Sequence, residues 1–207
     1  MVTALDSLER LREGNRRFVS DVRSLATLMS RTRRDEFVDG QQPFAVILGC
    51  SDSRVPVEMV FDQGLGDLFV IRVAGNIVAS SQIGSVEFAA ERFNTRLVVV
   101  LGHTRCGAVQ ATLEELQRPT ENQSQNLRAI VDRIRPAAEG LLATELRSDQ
   151  EALAQHVVRA NVRASVNQLR HGSEILEQLI QKDGLLVVGA EYSLETGVVD
   201  FFDGVPA

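Results

Sequence analysis

Four unbroken apolar runs constrain this chain more than anything else in it. Residues 44–49, 68–72, 97–102 and 185–190 are rich in Val, Ile and Leu and show almost no polar alternation. A strand with one wet face alternates apolar and polar side chains. A continuous run belongs to a strand covered on both faces, as in a parallel sheet flanked by helices. Helical patterns separate most of these runs: residues 81–93 lie between the second and third, and residues 108–183 between the third and fourth. The longer stretch is broken by the polar loop at 119–125, and within it Val158, Val162, Val166 and Leu169 recur at helical spacing, toward the core or a partner. A fifth candidate strand, 198–202, follows Glu195-Thr-Gly197, a turn short enough for a hairpin, which predicts an antiparallel edge. The expected fold is α/β: a mostly parallel central sheet of four strands, an antiparallel edge strand and helices on both faces.

A chain of 207 residues suits a single domain spanning 1–207, with residues 1–40 as a helical arm before the sheet. Residues 5–20 place Leu5, Leu8, Leu11 (or Arg12), Asn15 and Phe18 on roughly one helical face. That face has two candidate seats, its own domain or a partner subunit. The Arg31-Thr-Arg-Arg34 run is followed by Asp35 and Glu36, so it reads as a solvated helix face. A net charge of -6 argues against nucleic acid as a partner. No stretch approaches the ~18 apolar residues of a membrane span, and the start lacks the basic and apolar regions of a signal peptide. The expected setting is therefore a reducing cytoplasm, where cysteines bind metals or react more often than they pair.

The chain has two cysteines, and each opens or closes a polar motif at the end of an apolar run. Cys50-Ser-Asp52-Ser-Arg54 follows the first run, and His103-Thr-Arg-Cys106-Gly107 follows the third. Carboxyl ends of parallel strands share one edge of the sheet, where open α/β folds keep their chemistry. Cys50, His103 and Cys106 offer two thiols and an imidazole to zinc, with Asp52 as a fourth ligand or a group just outside the metal. A structural zinc usually has four protein ligands in close-spaced pairs, whereas a catalytic zinc keeps one position open. Arg54 favours the second reading. It can hold Asp52 in a bidentate pair away from the metal, and release of that pair would let the carboxylate close the site.

Cys50-x-Asp52-x-Arg54 followed by His103-x-x-Cys106-Gly107 resembles the signature of the β-class carbonic anhydrases. The resemblance continues through Gly40-Gln41, the 67–76 segment, Gly84-Ser-Val-Glu-Phe88-Ala and Gly189-Ala-Glu-Tyr192, covering most of the chain. It implies a lyase that interconverts carbon dioxide and bicarbonate by attack of a zinc-bound hydroxide, with one zinc per subunit, built as a homodimer or a dimer of dimers. It implies Cys50, His103 and Cys106 as metal ligands, Asp52 and Arg54 as the catalytic dyad, and Asp52 as a ligand in a closed state. Gln41, Phe69, Ala74 and Phe88 fall where the family lines its substrate pocket, partly across the dimer interface. Family members more often carry a bulkier branched residue at position 74 and Tyr at position 88. An inhibitory bicarbonate site known in one subgroup uses Trp, Arg and Tyr. Arg72 and Tyr192 match it, but Ile47 stands at the Trp position.

Two thiolates and a neutral imidazole leave the metal centre formally neutral, which predicts activity that rises toward alkaline pH. His156 and His171 lie far along the chain and read as surface or packing residues, so no proton shuttle is evident. Gly64-Leu-Gly66 lacks the third glycine and the context of a dinucleotide fingerprint. Two rival functions use the same residues: hydrolysis of carbonyl sulfide or carbon disulfide, and a non-catalytic zinc scaffold or bicarbonate sensor with Asp52 permanently on the metal.

Overall fold

The computed structural model describes residues 2–24, 34–35, 37–118 and 124–206. The basic run at 31–34 and the polar loop at 119–125 therefore lie largely outside the described residues. Strand β1 (Ala45–Gly49) pairs in parallel with β2 (Leu68–Arg72) on one side and β3 (Leu97–His103) on the other. β4 (Leu186–Tyr192) extends the parallel sheet beyond β3, and β5 (Val199–Asp203) closes it antiparallel, giving the order β2-β1-β3-β4-β5. Every residue of β1 and β3 is buried, which is why both runs are apolar without alternation. β2 is the open edge, and only its Ile71 is buried.

Seven helices flank the sheet among the described residues. α1 (Ala4–Val19) and the short α2 (Val57–Val60) cover one face, where Leu8, Leu11 and Phe61 meet Ile47, Val99 and Val188. α3 (Ser80–Arg92), α6 (Gln150–His171) and α7 (Glu174–Lys182) cover the other, where Val86, Val162, Val166 and Leu176 meet Val46, Leu48 and Val100. α4 (Gly107–Gln117), α5 (Gln125–Leu142) and the start of α6 enclose a third cluster at the carboxyl ends of β1 and β3, which contains Cys50 and Cys106. Val158, Val162, Val166 and Leu169 all face inward from α6. The helix sits so close that a Cβ on Gly102 or Gly189 would lie 2.6 or 2.8 Å from Val162.

Strand limits differ from the apolar runs where polar residues join the ladder. β3 reaches His103, and β4 continues through Glu191 and Tyr192, because β5 supplies partners at Asp200 and Val199. The N-terminal helix takes its own domain as its seat. Asn15, buried, donates from Nδ2 to Val60 O at 3.1 Å and Gly197 O at 2.8 Å, and its Oδ1 accepts the Val199 N–H at 2.9 Å. Ala4, Leu8, Leu11 and Asn15 form the buried stripe. Leu5 lies one residue, about 100°, around the helix from Ala4 and is exposed, so it does not belong to that face.

Candidate metal centre

Cys50 is the first residue after β1, His103 is the last of β3, and Cys106 is the N-cap of α4. Because β1 and β3 are parallel neighbours, these ends lie side by side. One ligand atom from each of the three residues lies within 4.8 Å of the others, and all three side chains are buried. The two sulfurs are 4.0 Å apart. Two thiolates on a tetrahedral zinc at Zn–S ≈ 2.3 Å would be about 3.8 Å apart, so the spacing already matches. His103 Nδ1 lies 2.9 Å from Thr104 O, an arrangement that puts the ring proton on Nδ1 and the lone pair on Nε2. That Nε2 is buried without a hydrogen-bond partner. Buried polar atoms are rarely left unpaired, and an orphaned imidazole nitrogen beside two thiols is what a thiophilic divalent ion completes.

The thiols share their protons unequally. Cys50 is lowered well below the ordinary thiol range, chiefly by the hydrogen bond from Cys106, with His103 and the Gly75 N–H assisting against burial. Cys106, keeping the proton, is pushed far above the ordinary thiol range by that same bond and by burial. The Gly75 N–H reaches Cys50 Sγ at 3.3 Å. α4 begins directly after Cys106, so the positive end of its dipole favours thiolate there once a cation replaces the proton.

Asp52 stands at the rim of this cluster. Its Oδ1 accepts from the Arg54 N–H at 3.0 Å and Arg54 Nε at 2.9 Å, and its Oδ2 accepts from Nη2 at 2.7 Å. The guanidinium holds the carboxyl well below the usual carboxylate range, against a smaller opposing effect of burial. Oδ2 is 3.8 Å from His103 Nε2, so the clamped carboxylate faces the cluster from just outside ligand distance. Arg54 also donates to Arg105 O at 3.2 Å, tying the two ligand-bearing loops together. Arg72 fixes the first loop from the other side, donating to Cys50 O at 3.0 Å and Asp52 O at 2.5 Å.

The structure thus gathers Cys50, Asp52, Arg54, His103 and Cys106. Ala74 is one residue from Gly75 and adjoins the cluster through it. Gln41, Phe69 and Phe88 lie elsewhere within the single chain. Gln41 is exposed and lines a cavity with Phe37, Glu58 and Leu65. Phe69 and Phe88 stack 6.2 Å apart, and both pack on Phe93. Three features went unread in the sequence: the Gly75 bond to Cys50, the Arg72 clamp and a buried Glu191. Glu191 takes Arg159 on Oε2, leaves Oε1 unpartnered and borders a cavity of about 710 Å³ that also touches Cys106 and Arg105. Burial pushes its carboxyl up, only partly offset by Arg159. The one available signal was a charged residue continuing the apolar run at 185–190.

Comparison with known proteins gives a consistent result. The carbonic anhydrase family model matches residues 45–199. Carbonic anhydrase 2 of Mycobacterium tuberculosis is 39% identical over 187 residues, spanning 90% of this chain and 87% of that protein. A carbonic anhydrase of Mycolicibacterium smegmatis is 39% identical over 190 residues, spanning 92% and 89%. Among solved structures, the β-carbonic anhydrase CafA of Aspergillus fumigatus aligns with a TM-score of 0.73 at 27% identity, over 85% of each chain.

Proposed function

The chain belongs to the β-class carbonic anhydrase family and is a carbonic anhydrase, and on that premise we propose that it hydrates carbon dioxide reversibly to bicarbonate and a proton with zinc held by Cys50, His103 and Cys106. The observation that carries this reading is the buried Cys–His–Cys cluster with its orphaned Nε2 and a clamped carboxylate 3.8 Å away. Zinc bound there supplies a Lewis acid that brings the ionisation of water toward neutral pH. Asp52 Oδ2 accepts a hydrogen bond from the attacking water and orients it toward carbon dioxide. Because Arg54 keeps Asp52 ionised, Asp52 positions the water without retaining its proton, which passes on to solvent. Arg54 and Arg72 act on this step by fixing the Cys50–Asp52 loop. The two negative charges of the thiolate ligands weaken the acidifying effect of the ion, so activity rises with pH.

Ala74 borders the substrate space from within the same chain, and Gln41, Phe69 and Phe88 contribute across a dimer interface. What supports a dimer is the open edge of β2 and the aromatic cluster beside it, where Phe88 is 53% exposed. Residues of this size are covered in stable assemblies more often than left wet. Among the described residues no helix is long and apolar enough to cross a membrane. A reducing cytoplasm suits two unpaired cysteines kept for a metal. The test is stopped-flow carbon dioxide hydration by zinc-loaded protein beside Asp52→Ala: fast hydration in the parent and a large loss in the variant are expected. Equal rates in both would remove Asp52 from the reaction.

A further inference from the structure

Helix α6 carries two buried polar residues on a face otherwise made of Val158, Val162 and Val166, and neither serves the helix itself. Asn161 Nδ2 donates to Gly75 O at 2.7 Å, and Ser165 Oγ, one turn later, donates to Asn76 O at 3.1 Å. Both side chains are at least nine-tenths buried, so each would be costly without its partner. Their partners are successive carbonyls of the short turn Ala74–Asn76. That turn is held in a demanding conformation, with φ of 71° at Gly75 and 43° at Asn76. A side chain at Gly75 would be strained by that φ and crowded, since a Cβ there would lie 2.7 Å from Ile134 Cδ1 and 3.0 Å from Ala108 Cβ. Toward the candidate ligands, the turn so held points the Gly75 N–H at Cys50 Sγ, 3.3 Å away.

We propose that Asn161 and Ser165 are positioning residues of the metal centre, which through the Ala74–Asn76 turn aim the Gly75 N–H at the Cys50 sulfur and so set how that thiolate holds its metal. Strained backbone persists only when its surroundings over-determine it, and these two side-chain bonds supply that determination. An N–H directed at a thiolate fixes the sulfur and withdraws charge from it, as outer partners do at metal sites generally. The inference rests on the metal-centre reading above and assigns a role to residues more than 50 positions from the nearest ligand in sequence.

The test compares Asn161→Ala, Ser165→Ala and Ser165→Thr with the full-length parent and with Leu176→Ala, a core truncation on α7 away from the turn. Zinc affinity is read by competition with a chelator, and the thiolate-to-metal charge-transfer band is read in the cobalt-substituted proteins. Asn161→Ala is expected to weaken zinc about tenfold and move the cobalt band to longer wavelength, as sulfur regains charge. Ser165→Ala should shift both in the same direction by less, and Ser165→Thr should restore the parent values. Leu176→Ala should lower the melting temperature without moving the band. Parent-like zinc affinity and band position in both alanine variants would overturn the proposal. If Asn161→Ala does not fold, the Ser165 pair decides alone. A parent protein that takes up no zinc would overturn the metal-centre reading itself, an outcome distinct from a parent that binds normally and variants that follow it.

Discussion

Removing the Arg54 side chain should close the metal site without emptying it. In the structure the guanidinium gives Asp52 two charge-assisted bonds, at 2.9 and 2.7 Å, while the third bond comes from the Arg54 main chain and survives substitution. Charge-assisted bonds contribute roughly 1.5–3 kcal/mol each when shielded. Arg54 is 51% exposed, so solvent screening leaves a minor share of that. That much preference for the clamped carboxylate corresponds to about a 5- to 30-fold population ratio. Arg54→Ala should therefore shift the balance between clamped and metal-bound Asp52 by that factor, with one zinc per chain retained. If the clamp alone sets the parent's ratio, the two states become comparable and carbon dioxide hydration at neutral pH falls about twofold; an added preference of the carboxylate for the metal deepens the loss, at most to the full factor. Arg54→Lys, which keeps charge but not the fork, should fall between. Stopped-flow hydration, zinc content and the cobalt spectrum together read the change, the spectrum reporting an added oxygen ligand. An unaltered cobalt spectrum together with hydration at the parent rate would refute the idea that Arg54 holds Asp52 off the metal.

Other expectations follow from the same geometry. Asn15→Ala removes all three bonds that Asn15 makes to α2 and the β4–β5 hairpin, and should cost about 2–4 kcal/mol, lowering the melting temperature by roughly 6–12 °C; a fall of under 2 °C would show that α1 is seated by its apolar stripe alone. Zinc uptake near neutral pH should release about one thiol proton from the Cys50–Cys106 pair, because the bond between the two sulfurs favours ionising one of them and holding the other protonated. Calorimetry in buffers of different ionisation enthalpy measures this, and release of two thiol protons would contradict the unequal sharing. Glu191, raised by burial, contributes stability that is intact below the unfolded carboxyl value and is lost as pH rises through its folded value. Glu191→Gln should consequently gain melting temperature relative to the parent between pH 4.5 and 8, and a gap that stays constant or shrinks would show that Glu191 is not disfavoured as a charge.

The parts of this molecule legible in the sequence are those with a local physical signature. Buried parallel strands leave continuous apolar runs, so β1, β2 and β3 stand within a residue of the positions those runs imply. The ligand cluster was legible because both motifs sit at strand ends, and parallel strands bring such ends together whatever lies between them. The rest depends on pairings between distant segments. Nothing near Asn15 announces that its amide meets Gly197 and Val199, some 180 residues on. Asn161 falls among apolar residues at helical spacing and reads as an interruption of a core stripe until its partner, Gly75, is in view. Glu191 ended an apolar run in the sequence, yet the strand continues through it because β5 completes its ladder and Arg159 shares its charge. Ala74 adjoins the ligand cluster through its neighbour Gly75, whereas within one chain Gln41 and Phe88 are exposed and Phe69 is half-buried against Phe88 and Phe93.

The most direct test of the central claim is stopped-flow carbon dioxide hydration from neutral to alkaline pH, on zinc-loaded protein and on the same preparation stripped by chelator. The account predicts fast hydration that climbs with pH, disappears with the metal and returns when zinc is restored. Hydration absent at every pH with zinc bound, or a rate that falls toward alkaline pH, would contradict it.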